Sequence, residues 1–237
     1  MSRDPKIIVA LDHGDEQTIL NLAKQLDPHL CRIKIGSILF TEYGPALLEK
    51  IKQLGFAIFL DLKFHDIPQT VAGACRAAAQ LGVWMVNIHI SGGLEMMIAA
   101  REAIETVPAE RRPLLIGVSI LTSLNDHDLK TLGYSEPVAE TVLHFSQLAQ
   151  TARLDGLVCS AHELNLLRKT VPDHFLLVVP GIRLPEDALG GQKRVMTPEQ
   201  AFRAGADYLV IGRPFTQSPN PHQLLTMLTR TTAGRKG

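Results

Sequence analysis

Within residues 57–71, AIFLDLKFHDIPQTV, two carboxylates and an ammonium fall inside six residues: Asp61, Lys63 and Asp66. The stretch opens as an apolar strand. A strand alternates its faces, so Asp61 and Lys63 point the same way. Ionised groups on the inward face of a buried strand are costly unless they pair. Asp66 falls where the strand ends, ahead of Pro68, which a helix accepts only in its first turn. Flanking carboxylates hold a lysine as an ammonium, and such a group could stabilise developing negative charge and deliver a proton. The plainer reading, an Asp–Lys salt bridge at the rim of a sheet, suffices for a single pair. The rest of the chain decides between them.

Short apolar, β-branched runs recur along the chain and alternate with segments of helical period. The runs are Lys6–Asp12, Arg32–Gly36, Ala57–Phe64, Trp84–Ile90, Leu114–Leu121, Gly156–Ser160, Leu176–Ile182 and Tyr208–Arg213. Between and after them the spacing predicts helices over Glu16–Leu26, Pro45–Leu54, Gln69–Leu81, Leu94–Thr106, Val138–Arg153, Ala161–Thr170, Pro198–Ala204 and Pro221–Thr229. Near-continuous Ile, Val and Leu in the strands imply burial on both faces, as in parallel sheets. Eight βα units in 237 residues predict one α/β domain, a (β/α)8 TIM barrel, ahead of a doubly wound open sheet. Gly55, Gly82 and Gly205 follow helical segments where a left-handed residue is often needed. Thr197 is placed to cap a helix with Pro198 at its first position. No linker divides the chain, and residues 230–237 are expected to form a frayed tail. Two connections, Thr122–Pro137 and Arg183–Pro198, exceed ordinary βα loops, and the first has room for a short helix.

A barrel carries its chemistry at the C-terminal ends of its strands. Reading only those ends collects Asp12, Lys34, Asp61 with Lys63, Asn87 with His89, Thr122, Ser160, Arg183 and Arg213. Acids and bases from separate strands thus converge on one rim, which scattered surface charge would not do. Arg213 follows Gly212 on the eighth strand. The glycine permits close approach of a ligand, and arginine is a forked phosphate donor; barrels often bind phosphate there. Arg183 and Gln192 on the long connection could close over the same anion. His65 is expected to pack or hydrogen-bond rather than transfer protons, and His89 to line the rim or sit in the core. Neither belongs to a ligand motif, so no metal site is expected.

Lys+Arg and Asp+Glu both number 24, a balance that argues against a nucleic-acid surface or a polybasic membrane anchor. Cys31, Cys75 and Cys159 are isolated and are expected as reduced core residues. The N-terminus lacks a long apolar segment, and no window approaches a membrane span. A soluble, cytoplasmic protein is expected.

The segment D-L-K-F-H-D-I-P-Q-T resembles the signature of the orotidine 5′-phosphate decarboxylase family. Its bacterial form is further resembled by A-L-D at residues 10–12, K-I-G at 34–36, L-T-S at 121–123, P-G-I-R at 180–183 and I-G-R at 211–213. The resemblance implies cofactor-free decarboxylation of orotidine 5′-phosphate to UMP, the last step of de novo UMP synthesis. It implies a charged network of Lys34, Asp61, Lys63 and Asp66, with Lys63 protonating C6 of the pyrimidine. It assigns the ribose to Asp12 and Lys34, the pyrimidine to Thr122, and the phosphate end and closing loop to Arg183, Gln192, Gly212 and Arg213. Asp66 and Thr70 would reach the neighbouring subunit's site in a homodimer. The alternatives are a Mg²⁺-dependent sugar-phosphate decarboxylase or aldolase on the same barrel, and a non-catalytic phosphate-binding barrel.

Overall fold

Eight strands form from the apolar runs, and each pairs in parallel with the next: β1 (Ile7–Leu11), β2 (Cys31–Gly36), β3 (Ile58–Phe64), β4 (Met85–His89), β5 (Leu114–Val118), β6 (Gly156–Val158), β7 (Leu176–Pro180) and β8 (Tyr208–Ile211). β8 returns to pair with β1, so the sheet closes as a (β/α)8 barrel. The computed structural model describes residues 4–12, 14–182 and 196–232. Ten α-helices lie among these residues: α1 (Glu16–Ala23), α2 (Ser37–Gln53), α3 (Pro68–Gln80), α4 (Leu94–Glu105), α5 (Asp126–Thr131), α6 (Val138–Thr151), α7 (Leu164–Leu167), α8 (Pro198–Arg203), α9 (Arg213–Thr216) and α10 (Pro221–Thr232).

The two-residue period of the strands separates two cores. Ile7, Val9, Leu11, Ile33, Ile35, Ile58 and Leu60 belong to the large core shared with the helices. Ile8, Ala10, Phe59, Met85, Ile116, Val178, Tyr208 and Val210 form a smaller one inside the barrel. This layering positions the site. The inward column of β1 reads Ile8, Ala10, Asp12; that of β3 reads Phe59, Asp61, Lys63; that of β4 reads Met85, Asn87, His89. Each column is apolar at its base and polar at the C-terminal rim. The opposite end is closed by Arg32, whose guanidinium stacks 3.8 Å from the Trp84 ring centroid and pairs with Asp4. Tyr208 donates to the same Asp4 at 2.9 Å.

Two matching staples tie helices to strand starts. Asp155 Oδ2 accepts from Arg101 of α4 and from the Leu115 amide at 2.7 and 2.6 Å. Asp207 Oδ2 likewise accepts from Arg168 and from the Leu177 amide. Each arginine is thereby paired with a carboxylate that also satisfies a backbone donor, the condition under which buried ions are tolerated.

Several boundaries differ from those expected. α2 begins at Ser37, directly after β2, and the expected helix from Pro45 is its second segment. Gly44 (φ 59°, ψ −154°) interrupts it, and its left-handed backbone accommodates Pro45, which would otherwise break a continuing helix. The expected helix over 161–170 resolves into a 3₁₀ turn, Ala161–Glu163, and the single turn α7. α10 runs on to Thr232, three residues beyond expectation. Elsewhere the punctuation held: Gly55, Gly82 and Gly205 have φ of 91°, 69° and 108°, and Thr197 caps α8 reciprocally with Gln200. A short helix, α5, does form in the Thr122–Pro137 connection, capped by Asn125 and Asp128. The three cysteines are free and buried. Burial pushes the thiols of Cys31 and Cys75 up to about 12. No helix among the described residues is long and apolar enough to cross a membrane.

Candidate active site

The C-terminal rim opens into a cavity of about 580 Å³, whose wall includes Asp12, Lys34, Thr122, Ser160, Gly212 and Arg213. Asp61 and Lys63 join it through Lys34 rather than lining it directly. Lys34, 7% exposed, is clamped from two sides, by Asp12 at 2.7 Å and by Asp61 at 3.2 Å. Asp61 reaches across with its other oxygen to Lys63 Nζ at 2.7 Å. Asp12, Lys34, Asp61 and Lys63 therefore alternate in sign along one continuous chain of contacts from β1 to β3.

The electrostatics are those of a mutually stabilised set. Burial alone would raise the Asp61 pKa, but Lys34, Lys63 and the Asn87 amide outweigh it and hold the carboxyl below its ordinary value. Burial would lower Lys34, yet Asp61 and Asp12 raise it above the usual lysine range. The Asp61 pairing thus stabilises the fold above the unfolded carboxyl pKa and is lost as acid carries pH down through the folded value. The Lys34 pairing is present below the unfolded lysine pKa and is lost as pH rises through its folded value. Across the neutral range both stay charged.

The backbone of β3 is irregular where the chemistry sits. Leu60 pairs with Val86 and Phe64 with Ile88, so Asp61, Leu62 and Lys63 oppose the one residue Asn87. Lys63 has φ 51°, a left-handed conformation uncommon outside glycine and often found at functional sites. Sequence parity anticipated that Asp61 and Lys63 would meet, and they do, through a bulge rather than a regular pleat.

Asp66 is not joined to this network within the chain. Its carboxylate accepts from the Ile67 amide at 2.6 Å, the residue is exposed, and it forms no ion pair among the described residues. Thr70, in the first turn of α3, is exposed as well. Gly212 leads from β8 into α9, and a Cβ there would fall 3.3 Å from Asp12 Oδ2 and 3.5 Å from Ala10 Cβ. Arg213 is the first residue of that helical turn. Arg183 and Gln192 lie outside the described residues. The rings of His65 and His89 pack 5.5 Å apart at 40°; burial, with His65 and Lys63 adding to it, lowers the His89 pKa. Gln217, which also lines the cavity, escaped sequence reading because it follows α9 with no periodic or motif signal.

A model of the "Orotidine 5'-phosphate decarboxylase / HUMPS family" matches residues 5–227. The chain belongs to this family. The family's curated members include an orotidine 5'-phosphate decarboxylase of Coxiella burnetii (strain RSA 331 / Henzerling II), 58% identical over 227 residues, which are 96% of each chain. Another, from Saccharophagus degradans, is 52% identical over 95% of this chain and 94% of its own. The crystal structure of the Lactobacillus acidophilus orotidine 5'-phosphate decarboxylase superposes with a TM-score of 0.86 at 35% identity, over 96% of this chain and 99% of that one.

Beside the cavity, Ser160 and Glu163 form a reciprocal cap: the Ser160 amide donates to Glu163 Oε2 at 2.6 Å, and Ser160 Oγ accepts from the His162 amide. Burial, opposed by the Ser160 hydrogen bond, raises the Glu163 carboxyl from 4.5 to about 7. The folded state thus keeps a proton that the unfolded chain releases, a contribution fully present below pH 4.5 and lost as pH rises through 7. Glu163→Gln keeps the hydrogen-bond acceptor without the buried charge. It is expected to raise stability by on the order of 2 kcal/mol at pH 8 and to leave it unchanged near pH 4, in denaturant melts at both values. An equal change at both would rule out the charge as its cause.

Proposed function

We propose that the protein decarboxylates orotidine 5′-phosphate to UMP and CO₂ without a cofactor, as the cytoplasmic last step of de novo UMP synthesis. The observation that carries this reading is the alternating Asp12–Lys34–Asp61–Lys63 chain, ending in an ammonium beside a cavity whose wall includes Arg213. When the bond from C6 to the carboxylate breaks, CO₂ leaves and the electron pair stays on C6. Lys63 is the cation that stabilises this carbanion, and it then transfers a proton from Nζ to C6, to be reprotonated from water. Asp61 holds the ammonium in place before reaction, so little reorganisation is required at the transition state. Asp12 and Lys34 serve the ribose and Thr122 the pyrimidine.

Gly212 and Arg213 serve the phosphate, with Arg183 and Gln192 on the closing loop. Support comes from the short helix α9 immediately after β8, the place where barrels commonly seat a phosphate. A grip remote from the reacting carbon contributes binding energy that orients the pyrimidine. Arg213→Ala is expected to weaken UMP binding by about 10- to 100-fold, the value of a charge-assisted hydrogen bond. Uridine, which lacks the phosphate, should bind the variant as it binds the parent in calorimetric titrations. An equal loss for both would remove the phosphate role.

Asp66 and Thr70 complete the partner's site in a homodimer. What favours this is that Asp66 is exposed and pairs with no cation among the described residues, while Ile67, at the start of α3, and Ile38, in the first turn of α2, are 65% and 61% exposed. Large apolar side chains next to a functional carboxylate suit a surface that another subunit covers.

The deciding experiment follows the absorbance of orotidine 5′-phosphate after adding protein in EDTA, with UMP identified as the product. Rapid conversion is expected. Activity that appears only when Mg²⁺ is restored would favour a metal-dependent sugar-phosphate enzyme of the same barrel, and UMP binding without turnover would favour a silent phosphate-binding barrel.

A further inference from the structure

Asn87 has no part in the roles above, yet it is 1% exposed in the middle of β4, where a buried amide must find partners. It finds them in the β3 bulge. Three residues of β3 oppose this one position, and such an interruption leaves backbone groups without ladder partners. Asn87 Oδ1 accepts the Lys63 backbone N–H at 2.8 Å, and Asn87 Nδ2 donates to Asp61 Oδ1 at 2.7 Å. This amide orientation is dictated by its neighbours, since a backbone N–H only donates and an ionised carboxylate only accepts. Asp61 Oδ1 is also the oxygen that receives Lys63 Nζ, at 2.7 Å. One side chain therefore holds both ends of the lysine: the left-handed backbone from which it departs, and the carboxylate on which its ammonium rests.

We infer that Asn87 is a positioning residue for Lys63, locking the bulge and the Asp61 carboxylate so that the ammonium is aimed at the reacting carbon. This inference rests on the proton-donor assignment of Lys63. Misplacing a reacting group by about 1 Å can cost on the order of 10²-fold in rate. That loss should fall on kcat, with KM and UMP affinity little changed, because Asn87 is not among the residues that line the cavity.

The test compares Asn87→Ala, Asn87→Asp and Lys63→Ala in the full-length enzyme. Asn87→Ala is expected to lower kcat on the order of 10²-fold. Asn87→Asp is nearly isosteric and keeps an acceptor for the Lys63 amide, but above its pKa it has no proton to give Asp61. Asp61 and Lys63 face this position from β3, His89 follows two residues on, and its register partner on β5 is the uncharged Ile116. Below that pKa the carboxylic acid can donate as the amide did, so kcat of Asn87→Asp should recover toward the parent value as pH falls. A merely structural role would leave the pH profiles of this variant and the parent parallel, whatever the thermal stability. Parallel profiles, or an Asn87→Ala kcat within about threefold of the parent, would overturn the inference. If Lys63→Ala itself keeps normal kcat, the proton-donor assignment fails first, and the inference with it. If Lys63→Ala is inactive while both Asn87 variants behave as the parent, only the positioning role fails.

Discussion

Lys63→Ala is expected to abolish turnover while leaving the barrel folded. Two effects are lost together: general-acid transfer, worth about 10²- to 10⁴-fold, and stabilisation of the C6 carbanion, worth about 10²- to 10³-fold where a single group is removed. A fall in kcat of at least about 10⁴-fold follows from their combination. The fold should tolerate the change because the Lys63 side chain is 37% exposed. Asp61 also keeps Lys34 at 3.2 Å and the Asn87 amide at 2.7 Å, so no buried charge is stranded, the event that makes broken ion pairs so destabilising. Single-turnover absorbance with circular dichroism on the same sample separates the two outcomes. A near-normal kcat in folded protein would take Lys63 out of the chemistry.

Mixing inactive subunits is expected to restore activity. If Asp66 acts in the neighbour's site, a heterodimer of Asp66→Ala and Lys63→Ala chains has one site that carries both lesions and one that carries neither. Random pairing makes half the dimers mixed, each with one intact site, so about a quarter of the parent activity should return from two nearly inactive preparations. The physical motive is that Asp66 forms no ion pair among the described residues. Lys63 already has one carboxylate, Asp61, in its own chain, whereas Asp66 turns back to the Ile67 amide. Heterodimers verified by native mass spectrometry that show no recovered activity would place Asp66 in its own chain's site or outside the chemistry.

Much of this was legible in the amino-acid sequence, for reasons that are local. Near-continuous Ile, Val and Leu marked eight strands buried on both faces; their C-terminal ends then collected Asp12, Lys34, Asp61 and Lys63 on one rim, and a two-residue period put Asp61 and Lys63 on the same face. Glycines and Thr197-Pro198 marked helix ends because positive φ and proline are local restrictions. The departures are places where a local rule met a non-local one. Pro45 does open a helical segment, but another precedes it, beginning as soon as Gly36 leaves the sheet, with the Gly44 kink between them. Asn87 read as one rim residue among several. Its importance comes from the β3–β4 register, in which three residues face one.

What the sequence determined by itself, then, is the architecture and the cast of side chains, because strand period and backbone restrictions act over a few residues. Only the tertiary structure decided how they meet: Lys34 held between Asp12 and Asp61, Lys63 in a left-handed bulge braced by Asn87, and Asp66 left facing outward. Those pairings depend on the register between strands and on closure of the barrel. Both are set by the packing of the whole sheet, to which no short stretch of residues has access.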